Sequence, residues 1–391
     1  MAPRSRTAAA ALLVPLLLTG CQYSGSNSSA TPSATTPVAV APLDEQARLF
    51  IGSGAVSAVA EAKWPGGQWS HGYGVRDLDT KDPAQPGDRV SVGTVTETFA
   101  AVTVLKLVDD RLIGLDDPVN SVIPGFQEEL HPPGPITVRE LLAQTSGIPS
   151  YIPASMGGMD FRPALARPLT LEQALKDAAG QPWPASAVGN YQWDETNYIA
   201  LGLLVQTLRK KPFPDVLNEE VIAPLGLAHT SMARLDLSQK DILHGYLTLH
   251  GQRIDTTDNT HQAGSSAEGV ISTVGDVNTF LAALFGGRLL SPASLAQMEK
   301  GASPTPYALG IWRGPKGCTS SGSFHIAGNE EYTFTVSVAS SDGRYTASMA
   351  IALPPLPGTP EDPSADQQRQ SIGEQMQSTL SETVNSLCGA S

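Results

Sequence analysis

The sequence predicts an α+β fold: an antiparallel sheet formed from both chain ends and flanked by helices, plus an all-α lobe from the middle of the chain. Three observations carry this expectation. Strand-like patterns occupy Gly54–Arg76 and return at Ser323–Leu353. The long stretch between them repeats its apolar residues at helical spacing. A chain of 391 residues with 41% hydrophobic content is also long enough to bury a large core.

Gly54–Ala62 alternates small and β-branched residues, and Trp69–Arg76 follows the Pro65-Gly66-Gly67 turn, so the pair reads as a hairpin. Helical spacing then runs through Phe99–Val108, Val138–Leu142, Leu171–Ala178, Tyr198–Leu208, Phe213–Val221 and Val274–Leu284. Connectors rich in Pro and Gly, such as Pro132–Pro135 and Met156–Pro163, separate these runs. Strands are expected again at Ser323–Ile326, Tyr332–Ala339 and Tyr345–Leu353, the last two joined by a turn at Gly343. A polar, helix-compatible segment, Ser364–Leu387, closes the chain.

The first residues have a different character. Arg4 and Arg6 precede an apolar run, Ala8–Leu18, too short to span a bilayer and of the right length for a signal peptide, which residues 1–20 are expected to be. Leu18-Thr19-Gly20-Cys21 is similar to a bacterial lipobox, and Cys21 is therefore expected to carry lipid; the alternative is a secretory signal with an incidental Cys. Gln22–Pro42 is uncharged and made mostly of Ser, Thr, Ala, Pro and Gly, so residues 21–42 read as a lipidated Cys and a disordered tether. The folded domain is expected over 43–391, with an α/β lobe at about 43–92 and 300–391 and a helical lobe at about 93–299.

A formal charge of −13 argues against nucleic acid and against electrostatic docking on anionic lipid. Attachment to the outer face of the cell membrane would then rest on the lipid at Cys21. The other two cysteines, Cys318 and Cys388, are expected to pair outside the cytoplasm, with two free thiols as the alternative.

Five segments in order resemble the serine β-lactamase and penicillin-binding protein superfamily, including class C β-lactamases and DD-peptidases. They are RVSVGTVTETFAAVTVLKLVDDRLIGLDDPV (Arg89–Val119), ITVRELLAQTSGIP (Ile136–Pro149), TNYIALGLLVQ (Thr196–Gln206), VIAPLGLAHTSM (Val221–Met232) and EGVISTVGDVNTFLAALFGGRLLSP (Glu268–Pro292). The resemblance covers most of the chain after the tether. It implies the same α+β architecture, with a site between the sheet and the helical lobe.

The catalytic positions that this resemblance assigns are altered. Thr94 stands at the nucleophilic Ser and Glu97 at the Lys base, which replaces a primary hydroxyl by a hindered one and a cation by an acid. Gln144 stands where a His is common, and Trp193, Asp194 and Glu195 replace the Tyr-x-Asn or Ser-x-Asn motif. An indole does not relay protons at neutral pH. His325 keeps the third motif, but Ile326 and Ala327 replace its hydroxyl and Gly. Backbone amides of Thr94 and Gly328 would form the oxyanion hole.

The altered residues support competing expectations. Thr94-Val95-Thr96-Glu97 has the signature of a capping box, and Asp194 and Glu195 could serve the next helix start in the same way. Alternatively Glu97 and Glu195 share a pocket with His325, with Glu268, Glu330 and Glu331 nearby, where carboxylates would raise one another's pKa or recruit a cation. No cofactor is expected and no metal site is assigned. The functional expectation is a catalytically inactive pseudoenzyme that binds a cell-envelope or peptidoglycan-related ligand. The alternative is an esterase, β-lactamase or DD-peptidase type enzyme with Thr94 as nucleophile and Glu97 or His325 as base.

Overall fold

A computed structural model describes residues 37–155, 162–183, 188–258, 260–300, 305–314, 318, 323–330, 333–355 and 364–389. The side chains of residues 162, 165, 323–330 and 364–366 lie outside that description, as do the expected signal peptide, Cys21 and most of the expected tether.

The main sheet has six antiparallel strands and draws on both ends of the chain. β1 (Ser57–Trp64) and β2 (Gly67–Gly74) form the expected hairpin, closed at Gly66, which takes the left-handed φ of +85° that such a turn needs. Of the shorter strands, β3 (Val90–Ser91) pairs with β6 (Ile271–Ser272), while β4 (Tyr246–Leu249) and β5 (Gln252–Asp255) form a second hairpin. The remaining sheet strands are β7 (Trp312–Arg313), β8 (Ser323–Glu330), β9 (Thr333–Ser340) and β10 (Thr346–Ala352), giving the order β2-β1-β10-β9-β8-β7. The middle of the chain is therefore mostly helical rather than wholly α. β4–β5 has too few residues to leave a period-two pattern long enough to read.

β1, β9 and β10 are buried on both faces, which explains their nearly unbroken small and apolar composition. On one face, Ala58, Ala60, Ala62, Val336, Val338, Met349 and Ile351 pack under two helices, Ala41–Gly52 and Ser364–Gly389. Leu43, Ala47, Met376, Leu380 and Val384 complete that layer. On the other face, Val59 and Ala350 meet a larger core built by the helices Val95–Asp109, Thr196–Arg209 and Val274–Phe285. Phe99 and Phe280 stack there with ring centroids 3.8 Å apart, and each contributes about 2 kcal/mol of apolar burial.

Two sequence expectations need correction. The tether was expected to run to Pro42, but a short 3₁₀ turn at Val38–Val40 leads into a helix that begins at Ala41. Val40 is wholly buried beside Leu43 and Ala47, so one apolar anchor outweighs the disorder-like composition around it. The Thr94–Glu97 capping box is also absent. Thr94 sits in the helical region with no side-chain cap, because the amides of Val95, Thr96 and Glu97 already bond the carbonyls of Val92, Gly93 and Thr94. The same sequence signature does form a capping box at Thr137 and Glu140.

Cys318 and Cys388 are joined, with Cα atoms 5.5 Å apart. The bond ties the last helix to the segment ahead of β8.

Candidate functional site

The helix carrying Thr94 and Glu97 enters the core along its whole first half. Its residues 95–105 are buried, and its polar side chains are satisfied internally. Thr96 Oγ accepts from Val270 N at 3.0 Å, and Thr98 Oγ donates to the Gly310 carbonyl at 2.6 Å. Gly310 has φ +84°, and a Cβ there would lie 2.5 Å from Ala101 Cβ, so only glycine lets this segment cross the helix so closely.

Glu97 does not reach back to the helix end. Its carboxyl points inward and accepts from Gln144 Nε2 at 3.3 Å on each oxygen, from Tyr307 Oη at 3.2 Å and from the Trp193 indole. Gln144 cannot flip without loss, since its Oε1 accepts from Asn197 Nδ2 at 2.6 Å and from the Asp194 amide at 3.0 Å. Ser146 Oγ donates to Asn197 Oδ1 at 2.6 Å. Tyr307 and Tyr198 hydroxyls lie 3.3 Å apart, and Tyr198 donates to the Leu142 carbonyl. The result is a buried polar network linking three helices and the loop before β7.

Burial pushes the Glu97 carboxyl well above the ordinary carboxylate range, and the Glu195 charge adds to the effect. Hydrogen bonds from Tyr307, Gln144 and Trp193 oppose it only in part. Glu195 is raised in the same way by desolvation, then by Glu268 and Asp194. Glu195 thus lies within electrostatic range of both Glu97 and Glu268. Glu195 makes no helix cap, whereas Asp194 does accept from the Thr196 amide at 2.9 Å, so the capping expectation holds for Asp194 alone.

His325 lies on β8 opposite Trp312 of β7 and Val338 of β9, and Gly328 lies opposite Thr335. Their side-chain surroundings, and those of Glu330 and Glu331, fall outside the described residues. Lys106 is engaged electrostatically with Asp109 at the far end of the helix.

Sequence reasoning undervalued the aromatic side of the site. Tyr191, Tyr307 and Trp312 pack together with ring centroids 5.0 to 5.8 Å apart. Tyr191, two residues before Trp193, therefore does reach the site. Burial and then the Glu97 charge push its phenol upward, which disfavours the phenolate that a proton relay would need. Thr94, Glu97, Thr98, Trp193, Tyr307, Gly310 and Trp312 enclose a cavity of about 30 Å³. That holds one water-sized group, an order of magnitude below an ordinary small-molecule pocket of about 300 Å³ or more.

Comparison with known proteins places these features in context. A family profile described as Beta-lactamase matches residues 43–366. Protein flp from Staphylococcus aureus (strain COL) is 27% identical over 176 residues, covering 45% of this chain and 34% of the relative. The chain thus spans about a third of the length of that curated relative. Among solved structures, a D-stereospecific amidohydrolase from Streptomyces sp. is 25% identical with a TM-score of 0.69, over 80% of this chain and 94% of that one. D-amino acid amidase from Ochrobactrum anthropi SV3, complexed with L-phenylalanine amide, shares the fold at TM-score 0.71 and 18% identity, over 89% and 98% of the two chains.

Proposed function

Since the chain belongs to the Beta-lactamase family, we propose that it is an exported, lipid-anchored member that binds a ligand at the cell envelope and does not acylate. The observation that carries this reading is the fate of the base position. Glu97 is buried, holds its proton tightly and is locked as an acceptor by Gln144, Tyr307 and Trp193. A neutral acid so placed does not take the proton of the Thr94 hydroxyl, and it brings none of the positive charge that a Lys at this position would supply. The small volume beside Thr94 supports the same conclusion, because an acyl group attacked at that hydroxyl needs far more space. The lipobox-like Leu18–Cys21 segment supports export and anchoring, and the acidic charge leaves lipid as the means of attachment.

The competing reading keeps hydrolysis, with Thr94 as nucleophile, and is favoured by Thr94 and Glu97 lining one cavity. Turnover of nitrophenyl esters decides between the two. The binding reading expects the same rate for the wild type and for Thr94→Ala, whereas a rate that falls with Thr94→Ala supports the enzyme.

A further inference from the structure

We propose that His244 is a proton-operated clasp: as an imidazolium it holds the β4–β5 hairpin against the loop that follows β2, and on losing its proton it loosens that contact. His244 stands two residues before Tyr246, where β4 begins, and Asp255, where β5 ends, is the cross-strand partner of Tyr246. His244 Nδ1 lies 2.7 Å from Asp255 Oδ2, with the imidazole only 15% exposed. Asp255 is fixed for this role, because its other oxygen accepts from the Thr257 amide at 2.9 Å and from the Thr257 hydroxyl at 2.5 Å. From the facing loop, Asp77 Oδ1 accepts from Tyr246 Oη at 3.0 Å, and Tyr246 Oη accepts from the Leu78 amide at 2.9 Å. Arg253 of β5 lies over the Tyr246 ring, 5.4 Å from its centre, and pairs with Asp79.

The charges around the imidazole set the direction of the switch. Asp255 on the hairpin and Asp77 and Asp79 on the loop meet His244 and Arg253. Arg76 enters the same loop, but its guanidinium is turned to Asp88 and to the Lys240 carbonyl. Burial pushes the Tyr246 phenol upward, so it stays neutral. The hydrogen bond to Asp255 pushes His244 above its ordinary 6.5; burial opposes this, and the charges of Asp255, Asp77 and Asp79 add to it. Desolvation opposes the ionisation of Asp255, but the His244 and Thr257 hydrogen bonds overcome it and hold this carboxyl below the ordinary carboxylate range. The stability from His244 is therefore complete below about pH 6.5 and is lost as pH rises through the raised value, while that from Asp255 is lost only in acid. The clasp is closed in mildly acidic solution. Above that window the three carboxylates keep Arg253 and lose the imidazolium.

The root of the hairpin is held by contacts that do not titrate near neutrality. His244 N donates to the Arg76 carbonyl at 2.8 Å, Leu243 N donates to the Arg89 carbonyl at 2.9 Å, and the Arg89 guanidinium pairs with Asp241 at 2.9 Å. Loss of the proton thus frays β4–β5 beyond this root and leaves the domain folded. Fraying uncovers the Tyr246 ring and the Val56, Val75, Leu78 and Ala352 side chains that pack with it.

Hydrogen–deuterium exchange of the full chain, read by mass spectrometry on peptides spanning β4–β5 and corrected for the pH dependence of chemical exchange, tests the clasp. Protection of the hairpin should fall about threefold or more between about pH 5.5 and about pH 8 in the wild type. His244→Gln should show the lower protection at both values, and comparison with it separates the clasp from carboxyls that titrate elsewhere. Asp255→Asn serves as a second variant if His244→Gln folds poorly, and should likewise lose the pH dependence. Hairpin protection that does not change with pH in the wild type, or a pH dependence that persists in a folded His244→Gln or Asp255→Asn chain, overturns the clasp.

Discussion

Replacing Glu97 by Gln removes the titratable carboxyl from the cavity while keeping its shape, and the structure fixes how stability should respond to pH. In the unfolded chain this carboxyl titrates near its ordinary value of 4.5; in the folded chain, burial and Glu195 raise it well above that. Between those two values the folded state holds a proton that the unfolded state has lost. Stability from this group is therefore complete below about pH 4 and drains away as pH rises through the window, by at most about 1.4 kcal/mol per pH unit for one proton. Glu195 is raised as well, so the two carboxyls titrate as a coupled pair. The variant pays a separate, pH-independent cost. Gln144 presents its Nε2 to both Glu97 oxygens, and one of them becomes an amide donor, a loss of about 1 kcal/mol. Glu97→Gln should therefore be the less stable protein at about pH 4 and should close the gap, then overtake, as pH rises toward about 8. Urea midpoints measured across that range test this. A difference between the two proteins that stays constant with pH would refute the raised, buried carboxyl.

Three further outcomes follow from the same packing. Gly310→Ala should destabilise by about 3 kcal/mol, because φ +84° disfavours the new Cβ and Ala101 stands 2.5 Å from it, as thermal denaturation will show. Gln144→Ala should cost about 2 to 3 kcal/mol in urea denaturation, since it takes one partner each from the Asn197 amide, the Asp194 N–H and Glu97 together. Cys388→Ser should cost about 4 kcal/mol under oxidising conditions, from the loop entropy of a 70-residue separation, and the difference should vanish when both proteins are measured in reductant.

Much of the architecture was legible because its signals are local and repeated. The β1–β2 hairpin showed in its Pro-Gly-Gly turn, the Thr196–Arg209 and Val274–Phe285 helices in their apolar spacing, and the closing helix at Ser364–Gly389 in its polar, helix-compatible composition. Elements of two to four residues, such as β3, β6 and β7, exist only through their tertiary partners and left no trace in the pattern. At the site, the substitutions at Thr94, Glu97, Trp193 and Glu195 were visible in the sequence, but what Glu97 does was not. A capping box and a buried acceptor share one signature, and the choice turned on the Val92-Gly93-Thr94 carbonyls taking the helix's first amides. Gln144, Tyr307 and Trp312 matter through contacts spanning long stretches of chain, as between Tyr307 and Glu97, which no short motif encodes. Gln144 at a position where His is common was the one available hint.

Whether the Thr94 hydroxyl can be acylated at all is the question on which the account stands. Peptide-resolved mass spectrometry of the full chain after prolonged incubation with benzylpenicillin answers it. A polypeptide of unchanged mass at every time point is the predicted result; a penicilloyl adduct accumulating with time on Thr94 would contradict it.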